Sequence, residues 1–173
     1  MEETLILVDD NDNPIGTASR EECHKGKGKR HRAFVVFLFN KGKVLLQFRN
    51  KSKLGGHRWD ITATSHVRNG ETYDTAAERC MKHELDISTP LQKIGAFTYT
   101  EAYDGYSENE YCAVLVGKYD GKVTPNISEI EKLNYNVIYM DTDSVFVTSK
   151  KTKSVNETEE IGKKLQNHIN SFY

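Results

Sequence analysis

Cysteine is scarce in this chain. Three are present, Cys23, Cys80 and Cys112, and no two stand in the C-x-x-C spacing of a thiolate metal site. So odd and scattered a set is no disulfide framework, and the expectation is a reduced, cytoplasmic protein. Long apolar runs are missing as well: none approaches the roughly 18 residues that cross a bilayer as a helix. The opening MEETLILVDD is acidic and its apolar stretch is short, so it does not read as a secretory signal. Neither sign of charge is in excess, with 24 Lys and Arg against 25 Asp and Glu. That balance argues against a general nucleic-acid binder and against an acidic disordered chain. The 173 residues suffice for one domain with a real core, and nothing in that length demands two.

The pattern mixes strands with a few helices. TLILVD (4–9) reads as a short strand, and NDNPIG (11–16) is dense in turn formers. In TASREECH, Ser19 and Glu22 hold capping-box spacing, which predicts a short helix carrying His24 at its end. HKGKGKRHR (24–32) is basic and broken by glycine, and as a charge run it reads as a solvated loop. RAFVVFLFN (32–40) is a buried strand, NKGK a tight turn and VLLQFR (44–49) the returning strand, so 32–49 reads as a hairpin. LGGHRWDI (54–61) is a loop leading into a strand near 60–66. Tyr73, Ala76, Ala77, Cys80, Met81 and Leu85 recur at helical spacing behind Thr72 as N-cap.

KIGAFTYTEAY (93–103) and EYCAVLVGKY (110–119), joined by DGYSEN, form a second hairpin pattern. SEIEKL (128–133) predicts a short helix, YNVIYMD (135–141) a strand, and 157–172 a final amphipathic helix. There are no internal repeats, low-complexity tracts or clear linkers. The class is α+β, a mixed sheet with helices on its faces.

Certain polar residues make sense only if the fold brings them together. His24, His31 and His66 are candidate imidazole ligands. Glu108 and Glu110 alternate along one strand, so both point to one face. Glu71 and Glu84 stand at the lead-in and the end of the central helix. Imidazole with carboxylate oxygen suits Mn, Mg, Zn or Fe over a soft thiolate metal. Arg20, Arg49 and Lys53 are a second group, and guanidinium forks with point charges near a divalent ion suit a diphosphate. Taken singly, each histidine also reads as structural and each basic residue as solvated surface.

The order of the segments is more specific than any one of them. LVDDNDNPIGTASREECH, then HRAFVVFLFNKGKVLLQFRNKSK, then W-x6-H-x3-GETY, then a helix ending in HEL, then ENEYC resembles type I isopentenyl-diphosphate isomerase over residues 4–118. That family is a branch of the Nudix fold. The resemblance implies a single Nudix domain over 1–173, with an isomerase-like core at 4–141 and a C-terminal helical tail at 142–173. Its mixed sheet would be sandwiched between helices, with extra strands and a helix at the N-terminus. It implies a divalent metal (Mg2+, Mn2+ or Zn2+) on His24, His31, His66, Glu108 and Glu110. A second ion, Mg2+, would bridge the substrate diphosphate beside Glu84. It further implies that Arg20, Arg49 and Lys53 hold the diphosphate, that Tyr99 is an active-site tyrosine, and that Glu110 handles a proton. The partner would be a small diphosphate, with no nucleic acid or membrane, and the protein a monomer or weak dimer.

Three positions depart from that pattern. The family's catalytic cysteine, two residues before the third metal histidine, falls on Thr64. The basic residue after the helix arginine falls on Cys80. The family's Trp-bearing closing segment has no counterpart, since no tryptophan follows Trp59. The hydrolytic box G-x5-E-x7-R-E-U-x-E-E-x-G-U, registered on Glu71 and Arg79, keeps only Glu71, Arg79 and Glu84. Ser65 and Asp86 stand at its first and last glycines, and Cys80 and His83 at two of its glutamates. A thiol has a pKa near 8.5 and a threonine hydroxyl far higher, so Thr64 is a poor proton shuttle. Three readings follow. One is an isomerase that routes its second proton through water, Tyr99 or solvent at Thr64. Another is a Nudix hydrolase of a nucleoside or prenyl diphosphate. The third is a non-catalytic diphosphate or metal binder, which has little need for five matched ligands.

Overall fold

The computed structural model describes residues 3–53, 56, 58–103, 105–126, 128, 130, 135–141 and 144–149. In chain order these form β1 (Thr4–Val8), β2 (Pro14–Ser19), α1 (Arg20–His24), β3 (His31–Asn40), β4 (Lys43–Val44), β5 (Gln47–Phe48) and β6 (Trp59–Asp60). There follow β7 (Ala63–His66), α2 (Tyr73–Leu85), β8 (Leu91–Tyr103), β9 (Tyr106–Lys118), β10 (Tyr135–Asp141) and β11 (Ser144–Ser149).

Strand β3 is the spine, because its alternating residues serve two different faces. Along one edge it runs parallel to β9, from His31 opposite Glu110 to Phe39 opposite Lys118. Along the other edge it pairs antiparallel with β1 at Leu7, with β7 from Ala33–His66 to Val36–Ala63, and with β4 at Phe39–Val44. Phe34, Val36 and Leu38 point to the face where Ala76, Ala77, Met81 and Leu85 of α2 pack, all buried. Each large apolar side chain sealed there contributes about 1.5–3 kcal/mol. The intervening residues His31, Ala33 and Val35 point to the opposite face, and that face carries the candidate site.

Both helices begin where their capping residues predict. The Ser19 hydroxyl accepts from Glu22 N at 3.2 Å, and Glu22 Oε2 accepts from Ser19 N at 3.0 Å. Thr72 and Thr75 exchange the same pair of bonds ahead of α2. That helix ends at Asp86 in the left-handed conformation, φ 57°.

The structure departs from the sequence pattern at several points. The first hairpin breaks off early, and its returning strand is the two-residue β4. After Leu45 N bonds Leu38 O at 2.8 Å, the Thr62 hydroxyl enters the gap between the strands. It accepts from Leu38 N at 3.0 Å and donates to Leu45 O at 2.6 Å. The chain then peels away, and β5 pairs with β6 in a separate ribbon.

NDNPIG turns only as far as Asn13, where the Asp9 carboxylate accepts from Asn11 N and Asn13 N at 2.8 and 2.9 Å. Pro14 instead starts β2, which lies at the sheet edge, where a missing N–H costs no ladder bond. The second hairpin is longer than expected, reaching Tyr103 opposite Tyr106. Ile130 bridges Arg49 where a helix over 128–133 is expected, and the other residues of that segment except Ser128 lie outside the described set. β10 falls on 135–141 as expected, and β11 is an addition. The final helix expected at 157–172 lies outside the described residues. Among the described residues no helix is long and apolar enough to cross a membrane.

Candidate metal centre

The alternation of SENE in β9 divides its labour. Glu108 and Glu110 point into the site, while Ser107 and Asn109 hold the glycine-rich loop that joins α1 to β3. Ser107 Oγ donates to Gly26 O, and Asn109 Nδ2 donates to Gly28 O at 3.2 Å. Arg30 Nε donates to Asn109 Oδ1 at 3.3 Å. Gly28, at φ +71°, suits glycine, since a Cβ there would be strained and would crowd Asn109 Cβ and Cys23 O at 3.2 Å. The basic run at 24–32 is therefore no solvated loop throughout. Its lysines face water, but its backbone is stitched to β9, and histidines stand at both of its ends.

His24 closes α1, His31 opens β3 and His66 closes β7. Their ring centroids lie 4.8–4.9 Å apart, with 62° between planes in every pair, a three-bladed arrangement around one point. His24 Nδ1 meets Arg20 O at 2.6 Å, and His31 Nδ1 meets Lys29 O at 2.8 Å. A carbonyl accepts only an N–H, so each proton sits on Nδ1 and each Nε2 turns a lone pair inward. His24 Nε2 lies 3.3 Å from His66 Nε2 and 3.1 Å from Glu108 Oε2. Glu110 Oε1 lies 3.2 Å from His66 Nε2 and 3.8 Å from His31 Nε2. One donor atom from each of His24, His31, His66 and Glu108 falls within 4.8 Å of the others, and all four residues are buried.

The electrostatics ask for a cation at that point. His31 Nε2 and Glu108 Oε2 are buried without a hydrogen-bond partner. Orphaned polar atoms of this kind cost about 1–3 kcal/mol each. Burial, reinforced by the neighbouring His66, drives His31 down to about 4, which keeps it a neutral ligand. Burial opposes the charge of Glu108, yet the neighbouring His24 and His66 rings outweigh that and lower its value. Burial also opposes protonation of His66, but Glu108 and Glu110 overcome it and raise its value. Three imidazoles with carboxylate oxygens fit a hard or borderline divalent ion, so the residues present fit the metal that the resemblance implies.

The cluster opens into a cavity of about 680 Å³. Arg20, Arg49, Lys53, Thr64, Tyr99, Glu84, Glu108 and Glu110 all line it, together with His66. The residues singled out along the chain thus meet in one place, with His24 and His31 completing the buried cluster. Several already have partners. Arg49 Nη1 binds Asp60 Oδ2 at 2.7 Å, and Glu84 Oε2 accepts from Gln47 Nε2 at 3.2 Å. Thr64 Oγ1 donates to Phe34 O at 3.0 Å, so its proton is aimed at the backbone. Arg79 clamps Glu71 through two bonds, of 2.6 and 3.0 Å, and reaches His66 O at 3.1 Å. Two surviving residues of the eroded box therefore brace the third histidine.

The sequence reading passed over Arg58, Arg68, Phe97 and Tyr106, and Cys112 as a wall residue, although all five line the cavity. Tyr106 stacks on the His24 ring at 4.6 Å and 17°. Extending the Glu108–Glu110 alternation one step each way finds Tyr106 and Cys112. Burial pushes the Cys112 thiol up to about 12, with the Glu110 charge adding to it.

Solved structures share this architecture. A crystal structure of a Deinococcus radiodurans protein superposes with TM-score 0.60 at 23% identity, covering 75% of this chain and 80% of that one. A MutT NUDIX hydrolase from Burkholderia pseudomallei superposes with TM-score 0.57 at 16% identity, covering 76% and 97%. These define a Nudix-fold protein. The family profile for the NUDIX domain matches residues 29–161, and the chain belongs to that family. The isopentenyl-diphosphate Delta-isomerase 2 of Photorhabdus laumondii is 38% identical over 133 residues, 75% of each chain. The isopentenyl-diphosphate Delta-isomerase of Serratia proteamaculans is 36% identical over 172 residues, 92% of this chain and 96% of the relative.

Proposed function

We propose that the protein is a metal-dependent isomerase that interconverts isopentenyl and dimethylallyl diphosphate, slowed by the threonine at position 64. The convergence of three imidazoles and two carboxylates at the floor of a cation-lined cavity carries this reading. His24, His31, His66, Glu108 and Glu110 would hold a divalent ion (Mg2+, Mn2+ or Zn2+), with Glu84 beside a Mg2+ on the diphosphate. The bound ions supply positive charge that anchors and neutralises the substrate. Arg20, Arg49 and Lys53 bind the diphosphate oxygens and orient the alkene toward Glu110. Glu110 moves one proton on one side of the carbon skeleton. The other side needs a second acid/base group, and Thr64 has its hydroxyl proton turned to Phe34 O. Tyr99 or a water at Thr64 carries that proton instead. The reading brings with it a cytoplasmic protein acting as a monomer or weak dimer.

A hydrolase needs several helix carboxylates to hold the ions that activate water. Helix α2 offers the cavity Glu84, with Cys80 and His83 beside it, which disfavours hydrolysis. Incubation with isopentenyl diphosphate, Mg2+ and Mn2+ in D2O decides between them. Slow deuterium uptake with dimethylallyl diphosphate as product is the expected result. Phosphate release from a panel of diphosphates, without deuterium uptake, would establish the hydrolase. Neither signal would leave a binder.

A further inference from the structure

We propose that Arg68 is a diphosphate-binding residue, a cation placed on the loop after β7 where helix α2 carries the uncharged Cys80. The proposal rests on the diphosphate reading of the cavity. Arg68 stands two residues beyond His66 and lines the cavity. Its backbone is held from two sides. It bridges Leu5 of β1, and its N–H donates to Glu71 Oε2 at 3.0 Å, the carboxylate that Arg79 clamps. Its Nε donates to Glu3 Oε1 at 2.9 Å, while Glu3 Oε2 accepts from Arg20 Nη1 at 3.4 Å. One carboxylate thus gathers two guanidiniums from different elements onto the same cavity wall.

A guanidinium carries five N–H donors, and Glu3 takes one from each arginine. The Nη groups of Arg68 are left to a second anion, and paired forks at fixed spacing match the oxygens of a diphosphate. Helix α2 cannot supply that charge next to Arg79, because Arg79 is spent on Glu71 and His66 O, and Cys80 is buried with its thiol toward Thr64 O. The loop supplies it.

Calorimetric titration of the full chain with inorganic pyrophosphate and Mg2+ tests this without requiring turnover. Arg68→Ala is expected to raise the pyrophosphate Kd about tenfold, the low end of what one charge-assisted hydrogen bond is worth. Arg68→Lys falls between the two, and metal content stays at the parent value. Lys82→Ala removes a cation from α2 that does not line the cavity, and leaves the Kd unchanged. An Arg68→Ala Kd within twofold of the parent, or an equal loss in Lys82→Ala, overturns the assignment. If the parent chain itself takes up no pyrophosphate, the diphosphate reading falls first.

Discussion

At one end of the cavity His24, His31, His66 and Glu108, from α1, β3, β7 and β9, converge on a point, with Glu110 against His66 and His31. At the end proposed for acid/base chemistry, Thr64 turns its hydroxyl to a strand carbonyl. The two ends are held by different means. His31 sits opposite Glu110, and His66 opposite Ala33, because the whole sheet is in register. A one-residue slip in either pairing would turn these groups to the other face. The proposed metal end is therefore inseparable from the fold. The proposed acid/base end depends on the chemistry of one atom, the hydroxyl oxygen of Thr64.

The largest expected effect breaks the first half of that contrast. His31→Ala removes a fully buried donor whose Nε2 has no partner but the centre of the cluster. Elemental analysis of untagged protein should fall from about one ion per chain to background, with deuterium uptake lost alongside. Full metal content in the variant would show that the ion sits elsewhere, and the two ends would no longer differ.

The second effect runs the other way. Thr64→Cys places a thiol on the cavity wall, and restoring a general acid or base typically returns about 10²–10⁴ in rate. Deuterium uptake should rise into that range, with metal content and thermal midpoint close to those of the parent. An unchanged rate would mean that Tyr99 or water already carries the second proton, and that the cavity's two ends are equally complete.

The contrast also explains what could be read along the chain. Helix ends were legible because Ser19, Glu22 and Thr72 act within three residues of themselves. Glu108 and Glu110 were legible because a strand repeats every two residues. The histidines gained meaning only from their order, and the fold then placed their rings around one point. Other features are tertiary and left no local signal. Thr62 splits the first hairpin by entering it from 24 residues away, counted to Leu38. Glu3 joins Arg68 across 65 positions. That Thr64 spends its proton on Phe34 O follows from the β3–β7 register, which no window of sequence contains.

The smallest effect asks how far the metal end is prepared by the protein itself. Asn109 accepts from Arg30 and donates to Gly28 O, pinning the loop between His24 and His31 without touching the cluster. Asn109→Ala removes both bonds and is expected to cost about 1–2 kcal/mol in thermal unfolding. Because the loop sets where His24 and His31 stand, metal affinity should weaken about tenfold, as for other groups that orient ligands from behind. A variant that loses stability but keeps its metal affinity would mean that the ion, once bound, orders the loop. The register of β3, β7 and β9 would then be all the preparation the fold provides, and the distance between the built end and the tolerant end would shrink to the placement of His31, His66, Glu108 and Glu110.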